Sequence, residues 1–121
     1  MALDVLAAAK KMMRRRQFDK AITILQSRAE IYEDNFDYYL LFAIACLYVG
    51  DTGTASAYFQ KARKIKITDT MLLLGQAALF LRRGNTDRAL QYYLDVLDYE
   101  PGNKIAQNAM EFIRTKGDYS T

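Results

Sequence analysis

The strongest constraint on the fold of this chain is a set of residues that recurs every 34 positions. Four columns share this register: Ala9, Ala43 and Ala77; Ala21, Ala55 and Ala89; Leu25, Phe59 and Tyr93; and the glycines Gly50 and Gly84. Four independent columns in one register are hard to obtain by chance, so the sequence predicts a repeat protein.

The apolar residues inside each repeat follow helical spacing. Between Phe36 and Val49 they fall at positions i, i+3, i+4 and i+7, and Gly50-Asp51 then ends the helix. A second helix follows, and Gly84-Asn85 marks the same stop one period later. The inward stripes are Tyr39, Phe42, Ala43 and Cys46, then Ala55, Tyr58, Phe59 and Ala62, and then Ala89, Tyr92, Tyr93 and Val96. The spacing predicts helices near residues 3–15, 18–31, 36–49, 53–66, 70–83, 86–99 and 104–116.

The period and its residues resemble the tetratricopeptide repeat, a helix-turn-helix unit whose pattern is W-x2-L-G-x2-Y, then A-x3-F, then P. The third copy is the most similar and has Leu73, Gln76-Ala77, Phe80, Ala89, Tyr93 and Pro101 at these places. The second copy has Tyr39, Phe42-Ala43, Cys46, Ala55 and Phe59, with Ile67 in the place of proline. The first copy has Val5, Ala8-Ala9, Met12, Ala21, Leu25 and Glu33, and Arg16 in the column of the two glycines.

This resemblance implies an all-α fold, a solenoid of helix-turn-helix repeats in a single domain over residues 1–121. Three repeats would cover about residues 2–35, 36–69 and 70–103, followed by a C-terminal capping helix over about 104–116. The ends of a repeat array need a polar outer face. The capping-helix residues that we expect to face inward are Ile105, Ala109, Phe112 and Ile113, and those expected to face water are Lys104, Gln107, Glu111 and Arg114.

The residues that catalysis usually requires are scarce. The chain contains no histidine, which excludes Ser-His and Cys-His nucleophile pairs, and its single cysteine, Cys46, lies on an inward stripe. The carboxylates Asp95, Asp98 and Glu100 lack the spacing and glycine of a calcium loop, and the sequence has no glycine-rich phosphate loop. We therefore expect no enzyme activity, no catalytic residue, no metal site and no cofactor.

The positive charge of the chain is mild but unevenly distributed. Lys and Arg number 17 against 14 Asp and Glu, for a net charge of +3. A basic cluster lies near the start: Lys10, Lys11, Arg14, Arg15, Arg16 and Lys20. Lys10 and Arg14 share one helix face and are candidate contacts for an acidic protein, although a solvated polar face is the simpler interpretation. Because Phe18 is the only aromatic residue nearby, stacking platforms are missing, and neither nucleic acid nor membrane is an expected partner.

In tetratricopeptide-repeat proteins, basic and Asn residues of the first helices can hold the terminal carboxylate of a partner. The corresponding inner positions of this chain are Leu6, Lys10, Leu41, Met71 and Gly75. Only Lys10 has a suitable side chain, so we do not expect a carboxylate clamp.

The predicted helix 36–49 is apolar on nearly every side, since Asp37 is its only charged residue. Such a helix is buried on more than one side or exposes an apolar patch, and part of this surface has to pack between repeats. The resemblance implies that the first helix of each repeat lines a concave face, and we expect a partner-binding groove there. Its residues are Leu40, Leu41, Ile44, Leu47, Tyr48, Met71, Leu74, Ala78, Leu81 and Phe112.

The sequence thus favours a non-catalytic interaction module, an adaptor, scaffold or chaperone-like protein that binds an apolar segment of a protein or peptide. Three alternatives stay open at this point: a structural domain that forms a homo-oligomer through the same surface, part of a longer chain that fills the groove itself, and an electrostatic binder using the basic cluster. The sequence lacks both a run of about 18 uncharged apolar residues and a secretory signal pattern, so we expect a cytoplasmic location.

Overall fold

The computed structural model describes the backbone of residues 4–118 and the side chains of residues 4–115. The start of the first predicted repeat and helix, residues 2–3, lies outside this part. All regular elements within it are helical: α1 (Val5–Arg14), α2 (Phe18–Gln26), a 3₁₀-helix (Ala29–Tyr32), α3 (Phe36–Val49), α4 (Thr52–Ile65), α5 (Thr70–Arg82), α6 (Thr86–Tyr99) and α7 (Lys104–Asp118). The predicted all-α class is confirmed.

The first residues of the helices reproduce the period of the sequence. Helices α3, α5 and α7 begin at Phe36, Thr70 and Lys104, and each start is 34 residues after the previous one. The same interval separates the starts of α2, α4 and α6, at Phe18, Thr52 and Thr86. The alternation of the two sets shows that the structural repeat is a pair of helices.

Side-chain caps set the starts of α3, α5 and α7 in the same way. Asn35, Asp69 and Asn103 each accept a hydrogen bond from the backbone N–H three residues later, at 2.9, 3.0 and 2.9 Å. Asp51 and Asn85 cap α4 and α6 with the same spacing. Each bond satisfies one of the N–H groups that a helix leaves without an internal partner, which fixes the first turn at that residue.

The turn inside each repeat uses a left-handed backbone residue at one fixed position. Gly50 has φ of 90° and Gly84 has φ of 80°, and Arg16, in the same column, has φ of 60°. Glycine adopts this conformation without the steric conflict of a Cβ atom, whereas an arginine is strained there. The first repeat thus keeps the turn geometry without the residue that suits it.

Helix α2 is shorter than the predicted helix 18–31, because it ends at Gln26. The Ser27 hydroxyl donates a hydrogen bond to the carbonyl oxygen of Ile24 at 2.6 Å. A hydroxyl that bonds the preceding turn competes with continuation of the helix. At Arg28 the backbone leaves the helical region, with φ of −132° and ψ of 30°, before the 3₁₀-helix begins.

The chain divides into two compact units, which we call unit 1, ending at Ile67, and unit 2, beginning at Thr68. The six alanines of the two sequence columns are all fully buried: Ala9, Ala21, Ala43, Ala55, Ala77 and Ala89. In unit 1, α3 packs against α1, α2 and α4, and in unit 2, α6 packs against α5 and α7. Small residues at these columns allow paired helices to approach closely. The single domain over residues 1–121 stays a prediction.

Candidate interaction surfaces

Helix α3 carries five of the predicted partner-binding residues, and their burial separates them into two groups. Leu40 and Leu47 are buried, with 8% and 7% exposure, and belong to the core of unit 1. Leu41 and Ile44 are half-buried, and Tyr48 is 51% exposed. Because three helices pack around α3, most of its circumference is covered. Leu41, Ile44 and Tyr48, spaced i, i+3 and i+7, form an accessible apolar face on one side of α3, and Val49 in its last turn is 42% exposed.

One ring face of Tyr48 is occupied by a residue that the sequence analysis did not assign to the site. The rings of Phe18 and Tyr48 stack with centroids 4.4 Å apart and planes 5° from parallel. The guanidinium carbon of Arg16 lies 5.8 and 5.9 Å from the two centroids. These distances are almost equal, so the guanidinium lies near both rings of the pair. The contact ties α3 to the left-handed turn before α2.

The aromatic residues between α3 and α4 form a structural cluster. Phe42 and Tyr58 stack with centroids 4.1 Å apart, and the Lys61 amine lies 4.7 Å from the Tyr58 centroid. Tyr38 is 2% exposed, and its hydroxyl donates a hydrogen bond to the carbonyl oxygen of Leu25. Burial raises the pKa of Tyr38 to about 12, so this hydroxyl stays protonated at neutral pH.

Cys46, the one thiol of the chain, is buried in α3. Burial, with a smaller contribution from the negative charge of Asp51, raises the pKa of the Cys46 thiol to about 11. The thiolate is the nucleophilic and metal-binding form of cysteine. The site therefore disfavours the reactive form at neutral pH.

The predicted partner-binding residues of unit 2 also differ in accessibility. Leu74 is 7% exposed and belongs to the core of unit 2, together with residues of α6 and α7. Met71 is 50% exposed and Phe112 is 55% exposed, while Ala78 and Leu81 are half-buried. Leu74 therefore cannot contact a partner without movement of the core.

The predicted orientation of the last helix is partly wrong. Ile105 and Phe112 were expected to face inward, yet they are 60% and 55% exposed. The buried residues of this helix are Ala106 and Ile113, with Ala109 and Met110 half-buried beside them. The sequence contains two overlapping apolar stripes one residue apart, and the stripe through Ala106 is the one that packs into the core of unit 2.

An apolar groove of about 960 Å³ lies between α6 and α7, at the end of α5. Its apolar lining consists of Leu81, Leu90, Leu97, Met110, Phe112 and Ile113, and its polar lining consists of Thr86, Asp87, Gln107, Glu111 and Arg114. The structure thus brings together Leu81 and Phe112, both predicted site residues, with Leu90, Leu97 and Met110, which the sequence analysis missed. The leucines fall at i and i+7 on α6, a spacing that would have identified this face.

The two basic residues named as possible electrostatic contacts, Lys10 and Arg14, are both exposed on α1. Contact of these side chains with an acidic protein stays a prediction. Of the helices in residues 4–118, none combines the length and the apolar character needed to cross a bilayer.

No family model matches the sequence, and no curated protein matches it significantly. The first tetratricopeptide-repeat domain of human RPAP3 is 19% identical, with a TM-score of 0.81 over 92% of this chain and 87% of that chain. The first such domain of Spaghetti (RPAP3), bound to the HSP90 peptide SRMEEVD, is 19% identical, with a TM-score of 0.81 over 93% of this chain and 89% of that chain. YrrB, a repeat protein with an unusual peptide-binding site, is 16% identical, with a TM-score of 0.78 over 88% of this chain and 55% of that chain.

The chain has a tetratricopeptide-repeat fold. In this fold the pairs α1–α2, α3–α4 and α5–α6 are the helix pairs of three repeats, and each pair is in contact. Helix α7 follows in the register of α3 and α5, so it occupies the position of a first helix.

Proposed function

We propose that this chain is a non-catalytic protein-interaction module that binds an apolar peptide segment of a partner. The observation that carries the proposal is the accessible face of α3. Leu41, Ile44 and Tyr48 share one side of this helix and remain partly or largely exposed, although three other helices pack around it. Exposed apolar residues that form one patch usually mark an interaction site.

The tetratricopeptide-repeat fold supports the proposal, because solved domains with this fold include one bound to the peptide SRMEEVD of HSP90. That peptide contains three acidic residues. Among the positions that would form a carboxylate clamp in this chain, Lys10 is the only basic residue. We therefore propose an apolar partner segment rather than an acidic terminal peptide, and we assign no catalytic role to any residue.

Selection from a library of short displayed peptides tests this function. We expect the intact chain to enrich apolar peptides, and we expect Ile44→Asp to weaken their binding by about 2 kcal/mol or more, because it places a charge on the contact face. The matched control is Ile31→Asp, since Ile31 is 64% exposed in the 3₁₀-helix of the same unit.

Circular dichroism of each variant shows whether the fold survives. Unfolding of Ile44→Asp would identify Ile44 as ordinary core and refute the interaction face. Equal loss of binding in Ile31→Asp would also refute it. If the wild-type mass in light scattering rises with concentration and Ile44→Asp abolishes this rise, the same face serves self-association instead.

A further inference from the structure

The register of the repeat gives α7 the position of a first helix. Its cap, Asn103, stands 34 residues after Asp69, the cap of α5, and makes the same bond to the backbone N–H three residues later. In the earlier repeats α4 packs on α3 and α6 packs on α5. A helix packed on α7 in the same way would take the place of its second helix.

The groove between α6 and α7 is the surface that such a second helix would contact. On its α6 side, Leu90 and Leu97 line the groove and are half-buried. The equivalent residues of α4, one period earlier, are Ser56 and Arg63. The pair of leucines therefore distinguishes α6 from α4, whereas in α2 the column of Leu90 holds Ile22.

The α7 side of the groove carries a charged residue where the earlier repeats have a buried alanine. Glu111 occupies the column of Ala43 and Ala77, which are fully buried in the earlier repeats. Glu111 is instead 63% exposed at its side chain and accepts a hydrogen bond from the Arg114 guanidinium at 2.7 Å. Asp87 of α6 adds a second carboxylate to the lining, so the charged residues of the groove carry a net negative charge.

We propose that the groove between α6 and α7 binds an amphipathic helix of a partner protein, with apolar side chains against Leu90 and Leu97 and a basic side chain facing Glu111. The place of a second helix favours a helical occupant, and the excess of carboxylates favours a basic one. This surface lies wholly within unit 2 and does not include the α3 face of the proposed function.

The chain itself supplies a matched pair of probes. A peptide of the α4 sequence, Thr52–Ile65, forms a second helix in this fold and contains three basic and no acidic residues. A peptide of the α6 sequence, Thr86–Tyr99, has the same length and repeat position but contains three acidic residues and one basic residue. Fluorescence anisotropy of each labelled peptide against the full chain measures whether the groove selects a basic helix.

We expect the α4 peptide to bind and the α6 peptide to bind at least about tenfold more weakly, because like charges disfavour association. Leu90→Asp should weaken the α4 peptide at least about tenfold by placing a charge on the apolar wall. The control Leu94→Asp should leave its affinity unchanged, since Leu94 is 48% exposed on α6 and does not line the groove. Glu111→Lys should weaken the α4 peptide and strengthen the α6 peptide.

Absence of α4 peptide binding, or equal loss in Leu90→Asp and Leu94→Asp, would overturn the proposal. Equal binding of the two peptides would overturn the basic character of the occupant. If the wild-type chain forms a dimer that Leu90→Asp dissociates, the groove binds a second copy, and the assignment to a partner protein is wrong. If the Leu90→Asp variant unfolds, the peptide affinities of Glu111→Lys test the proposal by themselves. Glu111 is exposed, and reversal of its charge leaves the apolar lining in place.

Discussion

The hydroxyl of Tyr38 donates a hydrogen bond to the backbone carbonyl oxygen of Leu25 across 2.8 Å, and this bond joins α3 to the last turn of α2. Carbonyl groups in the last turn of a helix lack partners within the helix. Both residues are buried, so water cannot replace the bond. Tyr38 therefore stabilises unit 1 through its hydroxyl as well as through its ring.

Replacement of Tyr38 by Phe should lower the free energy of unfolding by about 1 kcal/mol, because it removes one buried hydrogen bond and keeps the ring. Urea denaturation followed by circular dichroism measures this change. Tyr48→Phe is the matched control, since Tyr48 is 51% exposed and its stacked ring would remain. A Tyr38→Phe variant as stable as Tyr48→Phe would show that the bond contributes nothing.

The stability of the chain should fall as the pH rises above 10. Burial raises the pKa of Tyr38 from 10.0 to about 12, so the unfolded chain loses this proton at a lower pH than the folded chain. The contribution of the protonated Tyr38 hydroxyl to stability is complete below the pKa that this group has in the unfolded chain. It is lost as the pH rises through the pKa that the group has in the folded chain. Urea titrations at pH 8 and in the window between the two pKa values measure it. The loss should be smaller in Tyr38→Phe, and an identical pH profile would contradict the shift.

Two glycines three positions apart, Gly50 and Gly53, should respond in opposite directions to substitution by alanine. Gly50 has φ of 90°, and a Cβ atom there would contact nothing within 4 Å, so only backbone strain opposes the change. We expect Gly50→Ala to destabilise the chain by about 1–2 kcal/mol. Gly53 lies in the first turn of α4 with ordinary space around it, and Gly53→Ala should stabilise the chain by about 0.5 kcal/mol. Thermal melts of both variants would refute the strain argument if the two shifts had the same sign.

The stacked pair of Phe18 and Tyr48 should show energetic coupling. A double-mutant cycle of Phe18→Leu, Tyr48→Leu and the double variant isolates the interaction between the rings. We expect a coupling of about 0.5–1.5 kcal/mol, as for other stacked aromatic pairs. Strict additivity of the two single changes in urea denaturation would mean that the rings merely lie near each other.

Much of the fold could be predicted because the repeat fixes it independently at several positions. The helix starts at Phe36 and Thr70 follow from caps and turns that recur with the period, and these are local properties of the chain. The side of α7 that faces the core is harder to predict, since apolar stripes through Ile105 and through Ala106 both have helical spacing. Only packing against the rest of unit 2 selects between them.

The interaction surfaces were less predictable for the same reason. Leu40 and Leu41 are adjacent apolar residues on a helix that is apolar on nearly every side, and periodicity cannot tell which side is covered. In the structure Leu40 is buried and Leu41 is half-buried. The inward stripe of α6 does not indicate Leu90, because that stripe runs through Ala89, which faces the core.

Because Cys46 is buried and is the one thiol of this chain, its rate of chemical modification measures the opening of unit 1. A thiol reagent can modify it only after α3 has moved away from its neighbours, so the labelling rate reports how often that movement occurs. Unit 2 contains no thiol, so its opening does not contribute to the labelling rate. The native chain therefore allows the local opening of one unit to be timed without an introduced probe.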